Sequence, residues 1–313
     1  MFAKLQSQLK YVLNFRNDYS YCGERSKFST QTYVFMIDGK TLHGGMSDRF
    51  RGAMSVYSYC KKHNKQFKIY WVYPFKLEDY LRPASVEWVA EKKDLSFNLR
   101  DVSVKFFNTY TGLDGKTDEY HQLLKSRKKE IHIYSNVSIE ENLYCKYFNE
   151  LFVPVPRLQR QLDECKAEIG GKYVSVTFRF IGLLGDFKDD ERWLMHNSEM
   201  NAEDYIERCM ECIDQLHAKY PNHRVLVTAD SPKFLEVAKQ LPYTYVIPGN
   251  LTHMDRTRND DYLLHLKSFA DFYMVSMAEK CFMYHIGDMF RHTRFAKTAA
   301  LVGGKELITI SGE

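Results

Sequence analysis

The sequence lacks most of the signals that settle a function early. No complete Gly-x-x-x-x-Gly-Lys-Ser/Thr loop and no Gly-x-Ser-x-Gly elbow occurs, which removes the Walker nucleotidases and the serine hydrolases of that pattern. No apolar run approaches the roughly 18 residues of a membrane span. The first residues, MFAKLQSQLKYVLNF, are amphipathic and carry no uninterrupted apolar core, so no secretion signal is expected. The matches to the glycosylation pattern at Asn136-Val137-Ser138 and Asn250-Leu251-Thr252 therefore carry little weight. Cysteine is scarce and unpaired in pattern: seven scattered residues point to reduced thiols and a cytoplasmic chain. Surplus charge of one sign is missing too. A balance of 44 basic against 40 acidic residues gives no basic stripe for nucleic acid, though it allows a local anion site. Peripheral association with a membrane stays open.

What is present is aromatic and periodic. With 22 Tyr, 21 Phe and 3 Trp, 313 residues can fill about two domains of common size. Thr32–Asp38 reads as a strand, Gly39–Gly52 as a glycine-bearing loop opening a helix to about His63, and Phe67–Val72 as the next strand. That is one βαβ unit. A short helix is expected near Leu77–Leu81, strands at Val102–Phe106 and Ile131–Tyr134, and a helix at Ile139–Phe148. Pro154 and Pro156 mark a break, followed by a helix to Ile169 that Gly170-Gly171 ends. Beyond it five strands alternate with four helices: Val174–Phe180, Arg224–Thr228, Tyr243–Ile247, Cys281–His285 and Leu307–Ile310, with helices at Ala202–Lys219, from Ser231-Pro232 to about Gln240, at Asp260–Glu279 and near Arg294–Leu301. The expected fold class is α/β, with domains at 1–155 and 156–313.

Four stretches carry candidate chemistry. In Tyr173–Phe187 the apolar alternation ends in one arginine, Arg179, before a glycine-containing loop to Asp186. Ligands bind where loops leave the carboxyl ends of such a sheet, and a nearly buried guanidinium needs an anion. That anion is either a ligand phosphate or a neighbouring carboxylate such as Asp186; snorkelling to solvent is the third choice. In HGGMSDRFRG, Gly44 and Gly45 let a backbone approach a ligand at a helix start. Asp48 there is either a functional carboxylate or a helix cap, and Arg49 and Arg51 either bind or face solvent. Arg291 and Arg294 stand at a helix start, against the macrodipole. A bound anion would relieve that conflict, and an exposed basic turn would cost only about 0.3–1 kcal/mol per charge. Asp230, at the end of Val227–Pro232, either meets a base or ribose or caps the next helix. The pair Cys209 and Cys212 has metal spacing but sits mid-helix without a second pair, so core thiols are expected.

One further absence bears on these sites. No Asp-x-Asp occurs, the pair on which metal-dependent sugar-nucleotide enzymes often hold their ion. A diphosphate here would be neutralised by arginine and backbone amides, with no metal.

Together the stretches resemble the GDP-fucose-dependent fucosyltransferase superfamily of protein O-, α-1,6- and bacterial α-1,2-fucosyltransferases, in a branch that makes surface polysaccharide. The likeness spans about Thr32–Gly304. It rests on Gly44-Gly45-Met46-Ser47-Asp48-Arg49 and on Thr177-Phe178-Arg179, with Thr177 where the family commonly has His. It also rests on Thr228-Ala229-Asp230-Ser231, and on Asp271 followed by Met274, Met277 and the turn at Gly287–Phe295, in which Thr293 supplies the one hydroxyl. The resemblance implies two Rossmann-like domains facing across a cleft, of GT-B type, with the acceptor on the first and the nucleotide sugar on the second. It implies inverting, metal-independent transfer of fucose from GDP-fucose to a glycan hydroxyl. Arg179 is then the β-phosphate ligand, and Asp48 and Asp186 are the candidate bases. Gly44, Gly45, Arg49, Thr177, Asp230, Ser231, Arg291, Thr293 and Arg294 are nucleotide-sugar contacts. The alternatives are another nucleotide sugar on the same scaffold, or a nucleotide- or glycan-binding protein without catalysis.

Overall fold

Among the described residues, nine of the eleven strands lie in two all-parallel sheets, a topology that needs a covering layer on both faces and therefore near-continuous apolar strands. The computed structural model describes residues 18–108, 111–186, 200–252, 254 and 261–312. The amphipathic first residues, Phe187 and Asp260 lie outside these. The chain divides into two units, Met1–Val153 with Met254–Asp260, and Pro154–His253 with Asp261–Glu313.

The first unit begins with β1 (Thr32–Ile37), buried at all six positions. Helix α1 (Met46–Lys62) returns the chain to β2 (Gln66–Trp71), which pairs parallel with β1. After the short β3 (Leu81–Pro83) come β4 (Val102–Phe107), α2 (Thr117–Leu124), β5 (Glu130–Ser135), α3 (Tyr144–Leu151) and β6 (Phe152–Pro154). The sheet order is β2-β1-β5-β4, and β3 pairs separately with β6. Helix α1 lies very close to the sheet: a Cβ on Gly52 would fall 2.0 Å from the carbonyl oxygen of Ser135. Phe50, on the same helix, packs its ring against Trp71, Phe148 and Phe152.

The second unit runs α4 (Pro156–Ile169), β7 (Tyr173–Phe178), α5 (Ala202–Lys219), β8 (Arg224–Ala229), α6 (Pro232–Ala238), β9 (Thr244–Tyr245), α7 (Tyr262–Met277), β10 (Cys281–His285), α8 (Arg294–Val302) and β11 (Leu307–Ser311). Its sheet order is β11-β10-β7-β8-β9. The expected alternation of strands and helices is present. Helix α5 starts at a capping box, with Asn201 accepting from the amides of Glu203 and Asp204. The order sets β7 at the centre, flanked by β8 and β10, so the loops leaving these three strands meet at one edge.

Several expected elements shift. Helix α3 begins at Tyr144, not Ile139, because Glu140 adopts a left-handed φ of 49° and a single 3-10 turn follows. The expected helix at Leu77–Leu81 is one 3-10 turn, Leu77–Asp79. Strand β7 stops at Phe178, and β9 is two residues long. Helix α2 has no counterpart in the sequence reading: with eight residues and Tyr120 and Leu124 as its buried apolar positions, it is too short to show a period. Among the described residues, no helix is long and apolar enough to cross a membrane.

Candidate functional site

The register of β7 against β8, with Phe178 opposite Ala229, sets Arg179 beside Asp230 as the two strands end. Asp230 is 5% exposed, and burying a carboxylate without donors would be costly. Three donors meet it. Its Oδ1 accepts from the Phe180 amide at 2.7 Å, and its Oδ2 from the Ile181 amide at 2.8 Å. The Arg179 Nη1 lies 3.2 Å from the same Oδ2. Ile181 takes a left-handed φ of 49°, unusual for a β-branched residue, and Asp230 holds that turn. The Arg179 side chain keeps 27% of its surface exposed. From the other flank, the Phe290 amide donates to the Arg179 carbonyl at 3.0 Å, which ties the loop after β10 to the loop after β7.

The partner carboxylate of Arg179 is therefore Asp230 and not Asp186. Asp186 is exposed and accepts through Oδ2 from the Ser231 hydroxyl and the Lys233 amide, both at 2.7 Å. Ser231 is the N-cap of α6 and accepts from the Phe234 amide. The Thr177 hydroxyl is buried and bonded at 2.8 Å to that of Thr228, across the two strands. In the loop after β10, Arg291 is exposed, Arg294 is half-buried and Thr293 is buried as N-cap of α8 without a side-chain capping bond. Arg179 with Asp230, and Ser231 with Asp186, thus form two bonded pairs joined by the chain at Asp230-Ser231, with the Phe290 turn tied to Arg179.

The first-unit loop is built differently. Gly44 has φ +77°, and a Cβ there would fall 2.7 Å from Asp48. Asp48 closes the helix start by accepting from the Gly45 amide at 3.3 Å through Oδ2, while Oδ1 pairs with Arg51 Nη2 at 2.8 Å. Arg49 is fully buried. Its Nε donates to the Gly44 carbonyl at 3.0 Å, its Nη1 to the Tyr73 carbonyl at 2.6 Å, and the guanidinium lies 5.4 Å from the Trp71 ring. It neither faces solvent nor presents a free fork to a ligand; it fastens the glycine loop to the end of β2. His43 is buried beside it and accepts from the Gly39 amide through Nε2 at 3.0 Å. Burial first, and the Arg49 charge second, hold its pKa well below the usual imidazole value.

Two features escaped the sequence reading. Helix α7 carries a buried ion pair, Lys267 to Asp271 at 3.1 Å, with Lys267 Nζ also donating to the Ile247 carbonyl at 2.8 Å. Burial raises the Asp271 pKa, and Lys267 opposes that. The signal was a lysine four residues before an aspartate inside an otherwise apolar helix. A cavity of about 430 Å³ lies beside the pair, lined by Ile247, Gly249, Asn250, Asp261 and Lys267 among others. None of the expected site residues lines it. Cys209 and Cys212 are buried core thiols: Cys209 donates to the Met289 sulfur, and burial pushes Cys212 up to about 12.

No family model matches the chain, and no curated protein matches its sequence. Solved structures share its fold. An α-1,6-fucosyltransferase, NodZ, soaked with GDP-fucose is 13% identical, with a TM-score of 0.56 over 88% of this chain and 93% of that one. Fucosyltransferase NodZ from Bradyrhizobium is 14% identical, with a TM-score of 0.55 over 87% and 93%. FUT1 of Arabidopsis thaliana, in complex with GDP, is 9% identical, with a TM-score of 0.55 over 97% of this chain and 74% of that one. At these identities the likeness is one of fold.

Proposed function

We propose that the protein is an inverting glycosyltransferase that moves fucose from GDP-fucose to a glycan hydroxyl, in the cytoplasm and in the service of surface polysaccharide. The second unit is assigned the nucleotide sugar and the first the acceptor. The observation that carries the reading is Arg179: a guanidinium at the carboxyl edge of the central strand, steadied by Asp230 and still partly open. The shared fold with enzymes whose structures hold GDP or GDP-fucose supports it.

In the proposed reaction, the bond between fucose C1 and the β-phosphate oxygen breaks as the acceptor oxygen bonds to C1 from the opposite face. Negative charge grows on the departing GDP. A donor fixed at that phosphate stabilises the transition state more than the ground state. Arg179 fills that role, since Asp230 sets its orientation before the substrate arrives. The start of α8, with Arg291, Thr293 and Arg294, is assigned the remaining phosphate oxygens. The acceptor proton passes to Asp48, to Asp186 or to a phosphate oxygen. Gly44 and Gly45 are assigned backbone contacts. Thr177, Asp230, Ser231 and Arg49 act through others: they shape the loops that carry the contacts.

The test is incubation with GDP-fucose and a glycan panel, read by mass spectrometry. Addition of one fucose to an acceptor is expected, at a rate that survives EDTA. GDP binding by thermal shift without transfer or donor hydrolysis would sink the enzyme reading. Loss of transfer with EDTA, restored by Mn²⁺ or Mg²⁺, would sink the metal-free one.

A further inference from the structure

The four strands of the first sheet run parallel, so their amino ends share one edge. The register puts Thr32 opposite both Gln66 and Glu130, and Val102 opposite Glu130. Two basic runs arrive there. Lys61-Lys62-His63-Asn64-Lys65 links α1 to β2, and Lys125-Ser126-Arg127-Lys128-Lys129 links α2 to β5. Gln31 fastens the second run beside β1 by donating to the carbonyls of Ser126 and Lys128.

Cations at helix carboxyl ends favour the macrodipole, which accounts for Lys61, Lys62 and Lys125. It does not account for Lys65, Arg127 and Lys129, which lie beyond the helices. Nor are these charges neutralised locally. Lys61 pairs with Glu150, and Lys128 Nζ is taken by the carbonyls of Leu99 and Arg100. The side chains of Lys62, Lys65, Lys125, Arg127 and Lys129 form no hydrogen bond or ion pair among the described residues, and all but Lys65 are exposed. The nearby carboxylates are bonded to other groups, although Asp101 also feels the Lys129 charge. Glu130 is fully buried on Ser96 and His132, Asp101 holds Arg25, and Glu24 holds Lys27. The convergence registers at His63. After burial, the charges that depress its pKa are Lys62, Lys125 and Lys65, drawn from both runs, and no carboxylate opposes them.

We propose that this amino-end face of the first unit docks on an anionic lipid bilayer. The chemistry favours a lipid surface over a nucleic acid. Four of the five open cations in the two runs are lysines, which act as point charges, where phosphate-reading sites favour the arginine fork. An apolar side chain, Leu123, stands 48% exposed two residues before Lys125, placed to enter the interface beside the charges. The glycine loop after β1 leaves the opposite end of the same strands, so a docked first unit would keep that loop off the membrane. The proposal holds whether or not the donor is GDP-fucose.

Each basic residue near an anionic leaflet strengthens partition by roughly fivefold. The experiment is co-sedimentation of the full chain with phosphatidylserine-rich vesicles and with pure phosphatidylcholine vesicles. The wild type is expected to sediment with the anionic vesicles alone, and to be released as added salt shortens the Debye length from about 10 Å to about 3 Å. The combined variant Lys62→Gln, Lys65→Gln, Lys125→Gln, Lys129→Gln is expected to bind roughly 600-fold more weakly, with unchanged circular dichroism and Tm. Equal sedimentation with neutral vesicles, or undiminished binding by the variant, would overturn the proposal. So would a preference for double-stranded DNA over anionic vesicles at the same salt, which would reassign the face to nucleic acid.

Discussion

Arg49 and Arg179 have the same surroundings in sequence. Each stands near a glycine-bearing loop that follows a parallel strand, one in each unit. Their fates differ. Arg49 is fully buried and spent on the carbonyls of Gly44 and Tyr73, so its guanidinium is part of the scaffold. Arg179 is steadied by one carboxylate and keeps about a quarter of its side chain open. The difference teaches that an arginine just after a strand or just inside the helix that follows it is not a binding signal by itself. What separates the two is burial: Arg49 is enclosed against backbone carbonyls, whereas Arg179 meets a carboxylate with part of its side chain still exposed.

The comparison breaks most sharply on turnover. Arg179→Ala should lower fucosyl transfer by roughly 10²–10³-fold, the usual cost of one preorganised donor. Arg179→Lys should already lose much of it, because the planar fork is gone. Asp230 keeps its two amide donors in both variants, so Tm should move by no more than roughly 3 °C. An Ala variant turning over within about threefold of wild type would return Arg179 to the scaffold class.

Arg49→Ala should show the opposite pattern. It strands two carbonyls and opens a void beside Trp71, costing about 2–4 kcal/mol, or a Tm drop of roughly 5–10 °C. Turnover per folded molecule should change little below that Tm. A stable Arg49→Ala protein with transfer lost would erase the contrast between the two arginines.

The smallest effect sharpens the same contrast through pH. His43 beside Arg49 has its folded pKa held below the unfolded value of about 6.5, so below that pH the unfolded chain binds a proton that the folded chain does not. Stability contributed by neutral His43 is present above about pH 6.5 and is lost as pH falls, by up to about 1.4 kcal/mol per pH unit. His43→Gln retains an acceptor for the Gly39 amide and should flatten that acid limb in melting curves between pH 7 and about 5. An unchanged slope would mean that His43 already titrates normally.

Much of the second unit was legible because its local signals agree. Ser231-Pro232 marked a helix start, and the alternation in Val174–Phe178 marked a strand, although the structure covers both of its faces. Position along the strand was legible too: Arg179 and Asp230 each follow a strand end. Their mutual pairing was not, since register between β7 and β8 is a tertiary fact, and Asp186 was much nearer in sequence. The burial of Arg49 was hidden for a similar reason: its acceptor at Tyr73 lies 24 positions away, across α1 and β2. The Lys267–Asp271 pair was legible in principle as an i,i+4 spacing, but an apolar helix directs the eye to its hydrophobic positions.

The triple engagement of Asp230 has a consequence for how this chain can diverge. Two backbone amides and one guanidinium converge on a single carboxylate, and the amides belong to the residues that follow that guanidinium. Positions 179 to 181 and 230 therefore cannot drift one at a time. A neutral replacement at 230 would release the Ile181 turn and Arg179 together, so a viable lineage must change them jointly or not at all. The intervening helix meets the loop after β10 through Tyr205 and Cys209 on its buried face, but among the described residues its exposed face carries no such tie. Mutations can accumulate there without disturbing the corner, and a fold of this kind can wander far in letters while that one linkage stays locked.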